Sequence, residues 1–186
     1  MSLLLSPSQK TYLLGLARRS VEAVSSGDRA AVPETKDPLL LEKRGAFVTL
    51  KRGGELRGCI GYPLPYKPLA ETVAEMAAAA ATQDTRFAPV EPSEVPSLEI
   101  EISVLTVPHP IADPKEVVVG RDGLIVSKGP RRGLLLPQVP LEYGWDRETF
   151  LRHGCLKAGL PPDEWKKGAR LEVFEAEIFS ENEGEG

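Results

Sequence analysis

The sequence predicts an α+β fold, a mix of helices and a largely antiparallel sheet. Three observations carry that reading. Leu98, Ile100, Ile102 and Val104 alternate with Glu99, Glu101 and Ser103, the period of a strand with one buried face. Two strand-like runs flank Gly53-Gly54, a pair suited to the positive φ of a two-residue hairpin turn. Helical apolar spacing recurs elsewhere, but without the regular βαβα rhythm of a parallel sheet.

The elements follow in order. Ser6-Pro7-Ser8-Gln9 reads as a helix start: Ser6 caps, Pro7 fills the first helical position, and Gln9 closes a capping box. Leu13, Leu16, Ala17, Val21 and Val24 then share one face, and Gly27 stops the helix. A polar loop through Pro33 and Pro38 leads to the hairpin Gly45 to Gly61. With Gly53-Gly54 as its loop, Arg52 is expected opposite Glu55, Leu50 opposite Arg57 and Val48 opposite Cys59. Regular alternation then puts Arg57 and Cys59 on one face.

Pro68 starts a second helix with a Leu69, Val73, Met76, Ala77, Ala80 stripe, ended by Asp84-Thr85-Arg86-Phe87-Ala88-Pro89. A second hairpin is expected from Leu124 to Leu136, turning through Gly129-Pro130-Arg131-Arg132-Gly133. Pro137 to Tyr143 reads as a short helix stopped by Gly144. Asp146 caps another, carrying Phe150, Leu151, Cys155 and Ala158 and ending at Gly159. In the last strand the apolar parity changes between Val173 and Phe174, which predicts a bulge. Residues 1–179 are expected to form a single domain, in one or two lobes, and 180–186 an acidic flexible tail.

Composition narrows the function classes. A formal charge of −4 supplies no field for nucleic acid or anionic lipid. No apolar run approaches the ~20 residues of a membrane-spanning helix, and the N-terminus lacks a secretory signal, so a cytoplasmic location is expected. One Asn, three Gln, two Cys and two Met are compatible with a thermophilic source or a GC-rich genome. The loops that would mark an ATPase, a Rossmann dehydrogenase, an α/β-hydrolase or a zincin are absent, and no cofactor is expected. Cys59, Cys155, His109 and His153 lack ligand spacing, so no zinc or iron site is expected either.

Leu56-Arg57-Gly58-Cys59-Ile60-Gly61 is the most informative stretch. With Asp84-Thr85-Arg86-Phe87, Ser103-Val104-Leu105-Thr106, Gly120-Arg121-Asp122-Gly123-Leu124, Leu134-Leu135-Leu136-Pro137-Gln138-Val139, Glu142-Tyr143-Gly144-Trp145-Asp146 and Lys157-Ala158-Gly159-Leu160 in order, it resembles the AMME chromosomal region candidate protein family. The resemblance covers Tyr12 to Phe179. It implies an α+β fold with a larger and a smaller lobe and a cleft between them. It also implies a setting beside Memo-like and radical-SAM partners, in a family whose activity is poorly defined and whose eukaryotic relatives are linked to a contiguous-gene syndrome.

The residues offer two functional readings. In the first, the Arg57-Gly58-Cys59 strand lines a small-molecule cleft. Arg57 positions an anion or lowers the thiol pKa, and Cys59 is the catalytic nucleophile or a contact residue. Gly58 and Gly61 let a ligand or another backbone approach. Asp84, Arg86, Gln138 and Glu142 add polar lining, with Trp145 beside them. In the second, the protein is a non-catalytic adaptor and the same strand is a folding motif or docking surface. Cys59 is then a packing residue, Asp84–Arg86 a local ion pair with Phe87 as its core plug, and Trp145 structural. Neither histidine is an evident base: His109 lies between two prolines, and His153 and Cys155 do not face each other on a helix. Glu99 and Glu101 read as a solvated face, and Lys128, Arg131 and Arg132 as a solvated hairpin tip.

Overall fold

The computed structural model describes residues 5–184. Helices and antiparallel strands are mixed, as an α+β fold requires, in two compact units: residues 5–105 with 177–184, and Thr106–Ala176.

The first unit opens with α1 (Pro7–Ser25), whose Ser6–Gln9 capping box forms as expected. Gly27, at φ +85°, returns its N–H to the Val24 carbonyl and ends the helix. A one-turn helix, α2 (Pro38–Leu41), follows in the stretch expected to be loop, because Asp37 caps the Leu39 N–H. Strands β1 (Ala46–Arg52) and β2 (Glu55–Tyr62) form the hairpin around Gly53-Gly54, both at positive φ. Helix α3 (Leu69–Thr82) comes next, then β3 (Leu98–Leu105). β1 lies between β2 and β3, antiparallel to both. Val48, Leu50, Ile100 and Ile102 point to one face and are fully buried with Leu13, Leu16 and Val21 of α1 and Val73 of α3. Each such side chain contributes about 1.5–3 kcal/mol of burial.

The second unit contains β4 (His109–Ile111), β5 (Asp122–Lys128), β6 (Arg131–Leu135), α4 (Val139–Tyr143), α5 (Arg147–Lys157) and most of β7 (Arg170–Ser180). β7 pairs with β4 and with β5, and β5 pairs with β6. Helix α5, capped by Asp146, buries Phe150, Leu151 and Cys155 against Leu124, Val126, Leu171 and Val173.

Four expectations are corrected. The first hairpin is out of its expected register: Arg52 does face Glu55, but Gly58 faces Leu50, Cys59 faces Thr49 and Ile60 faces Val48. The cause is a bulge at Arg57. A Cβ on Gly58 would collide with the Ala80 carbonyl of α3, so β2 gains one residue to seat Gly58 against the helix. The second hairpin turns through Gly129-Pro130 alone, and Arg131, Arg132 and Gly133 belong to β6. β7 keeps unbroken register with β5 across Val173 and Phe174; Phe174 lies over Gly123, where a Cβ would strike its ring. Finally, Ser180 ends β7, and Glu181 is not free. Its carboxylate accepts from Arg18 at 2.6 and 3.0 Å and from the Ile100 N–H at 2.9 Å.

Candidate functional site

The first unit gathers Arg57, Gly58, Cys59, Asp84 and Arg86 where β2 passes the end of α3. Asp84 organises the group. Its side chain is 4% exposed. Oδ2 accepts from the Cys59 N–H at 3.0 Å and from Arg86 Nη2 at 2.7 Å, while Oδ1 accepts from Arg86 Nε and N–H at 3.0 and 3.1 Å. The Arg86 guanidinium foremost, with the Cys59 and Arg86 N–H groups, holds the Asp84 carboxyl far below the usual carboxylate range, against the opposing effect of burial. Arg86 remains 57% exposed, and its Nη1 takes no part in the pair.

Arg57, the bulged residue, turns to the segment between α3 and β3. Its Nε and Nη2 donate to Glu94 at 3.1 and 3.2 Å, a bidentate pair in which both side chains are largely buried. Arg52 joins the same carboxylate at 3.1 Å. The Arg57 guanidinium, followed by the Glu91 N–H, keeps Glu94 ionised below its ordinary value. Arg57 Nη1 is buried without a hydrogen-bond partner. Both guanidinium carbons lie near the Phe87 ring, Arg57 at 5.9 Å and Arg86 at 5.5 Å from its centroid. Phe87 is half-buried, not a core plug.

Cys59 is half-buried and accepts from Thr49 Oγ1 at 3.2 Å. The shared oxygen of Asp84 makes Arg86, not Arg57, the guanidinium tied to the Cys59 main chain. Glu94 and Thr49 were not among the residues singled out from sequence; the register of β1 and the return of the chain after α3 bring them in.

Gln138 and Glu142 belong to the second unit, at α4, where the Gln138 carbonyl accepts from the Leu141 and Glu142 N–H groups. Nearby, Trp145 stacks on Tyr143 at 4.9 Å and on His153 at 3.8 Å. His109 is exposed on β4, and Cys155 is fully buried, its thiol pushed up by desolvation. Among the described residues no group of three or more His, Cys, Asp or Glu is placed to hold a metal ion. No helix among them is long and apolar enough to cross a membrane.

A sequence model of the AMMECR1 family matches residues 14–179. The chain belongs to the AMMECR1 family. A protein of Methanopyrus kandleri is 52% identical over 94% of this AMMECR1 chain and 89% of its own. One of Methanocaldococcus jannaschii is 46% identical, covering 98% and 95%. The crystal structure of an uncharacterized protein from Pyrococcus horikoshii superposes with a TM-score of 0.78 at 47% identity, over 92% of this chain and 90% of that one.

Proposed function

We propose that this AMMECR1 protein binds a small anionic molecule where β2 passes the end of α3, with Arg86 as the group that meets it and Cys59 beside it. The observation that carries the reading is the posture of Arg86. A buried carboxylate fixes two of its nitrogens, yet more than half of the side chain is open to solvent and Nη1 is spare. Such a fork is pre-organised for a carboxylate or phosphate oxygen. Cys59 serves as a contact or as the nucleophile of such a site; Arg57 holds the bulge that presents it. Memo-like and radical-SAM partners remain the proposed setting.

Titration of the protein with acetate and inorganic phosphate tests this. Both ions are expected to shift the Cys59 and Arg86 amide resonances and to slow alkylation of Cys59. Arg86→Ala is expected to abolish both effects with the fold intact. Equal binding by that variant overturns the reading.

The adaptor reading is favoured by a separate observation. Leu141 and Tyr143 of α4 are 62% and 68% exposed, beside the Trp145–His153 stack. Aromatic anchors of this kind are frequent at docking surfaces. Loss of partner capture by Leu141→Ser/Tyr143→Ser, with anion binding retained, would support it.

A further inference from the structure

Among the described residues β2 pairs with β1 alone, so its outer side is a sheet edge. Antiparallel partners alternate between pairs that exchange both main-chain hydrogen bonds and pairs that exchange none. The Cys59 N–H points outward to Asp84, so Thr49↔Cys59 is a pair of the second kind. Two residues on, Phe47↔Gly61 is another. Gly61 therefore turns its N–H and carbonyl to the outer edge, as Cys59 turns its carbonyl. No described residue donates to or accepts from these three groups. Gly61 has no side chain to screen them, and the open stretch is short. The Arg57 bulge interrupts it on one side, and Pro63, which has no N–H, closes it on the other.

We propose that this edge takes an extended peptide whose terminal carboxylate is held by Arg86. The inference rests on the anion-site reading and names its ligand class. Main-chain groups of Cys59 and Gly61 supply strand-type pairing. Asp84 already occupies the Cys59 N–H, so an added chain cannot continue past that point and has to end there. At that end stands Arg86, with Nη1 spare. A terminal carboxylate fits this charge, and a terminal ammonium meets repulsion from Arg86. Gly58, seated on α3, keeps β2 close to the helix end that carries Asp84 and Arg86.

The test uses the full chain, labelled with nitrogen-15, and four probes: tetra-alanine as the free acid, its C-terminal amide, the free acid N-methylated at its second residue, whose N–H would meet the Gly61 carbonyl, and acetate. The free acid is expected to shift the Gly61 and Cys59 amides and to bind at least about tenfold more tightly than each of the other three. Arg86→Ala is expected to remove the difference between acid and amide. If acetate or the N-methylated peptide binds as tightly as the free acid, strand pairing is overturned while the anion site stands. If the amide binds equally well, the role of the carboxylate is overturned. If neither acetate nor any of the peptides produces a response, the anion site itself falls, and this inference with it.

Discussion

Asp84 shows how one buried carboxylate sets local geometry. It receives four hydrogen bonds, from one strand amide and from three groups of Arg86. Asp84→Ala leaves the Cys59 N–H without its partner and releases Arg86, at an expected cost of about 1–3 kcal/mol. Because the folded carboxyl titrates below its ordinary value, its stabilising contribution is complete above about pH 4–5 and is lost as pH falls below that. Asp84→Asn should therefore flatten the acid limb of the stability curve, measured as the urea midpoint between pH 6 and pH 2.5. An acid limb unchanged in the variant would place the dependence on other groups. The two thiols should also separate. Cys59, half-buried, is expected to react with a thiol reagent in the native protein, and Cys155 only after unfolding. Two thiols titrating at the same native rate would contradict that burial.

Among the elements, β2 and α3 are coupled through Gly58. Any side chain there meets the Ala80 carbonyl, a main-chain atom that moves only with the helix. Gly58→Ala is expected to cost about 1–3 kcal/mol or more in thermal unfolding. It should also disturb the Cys59 and Arg86 amides together, whereas Gly54→Ala, in the turn, should leave the Arg86 amide in place. Gly53-Gly54 was legible because a hairpin turn is written in adjacent residues. The bulge at Arg57 was not, because its cause, the Ala80 carbonyl, lies on another element. Alternation therefore carried Arg57 to the face of Cys59, one residue out of register. The same limit applies to the site. Arg57, Cys59, Asp84 and Arg86 stand out through residue type and motif. Glu94 joins them only through the path of the chain between α3 and β3, which no spacing rule encodes. In β7 the parity change at Phe174 was visible, but its reason is the missing side chain of Gly123 on β5, not an extra residue.

For the whole molecule, two separate cores imply two centres of protection against exchange. The first contains Leu13, Val48, Ile100 and Phe179; the second contains Leu124, Phe150, Leu151 and Val173. Phe150→Ala removes a fully buried ring from the second, an expected loss of about 3–5 kcal/mol. Hydrogen exchange should then accelerate first in β5, β6 and α5, with the β1–β3 ladder retaining its protection. Uniform acceleration would mean that the two units open as one. Ion pairs such as Arg18–Glu181 and Lys51–Glu101 recur in the first unit, and the relatives come from thermophiles, where networks of charge gain weight with temperature.

The division of the chain has a consequence for its synthesis. The first unit is written in two pieces, and the whole of Thr106–Ala176 lies between them. Phe179, which fills the first core, and Glu181, which fastens to Arg18 and Ile100, leave the ribosome only after every residue of the second unit. The unit that comes first in the sequence thus stays incomplete while the inserted one has all its strands and helices. On the nascent chain the usual order, N-terminal part first, is reversed in completion. A chain truncated after Ala176 and released would present a complete second unit and a first unit with a gap where Phe179 belongs.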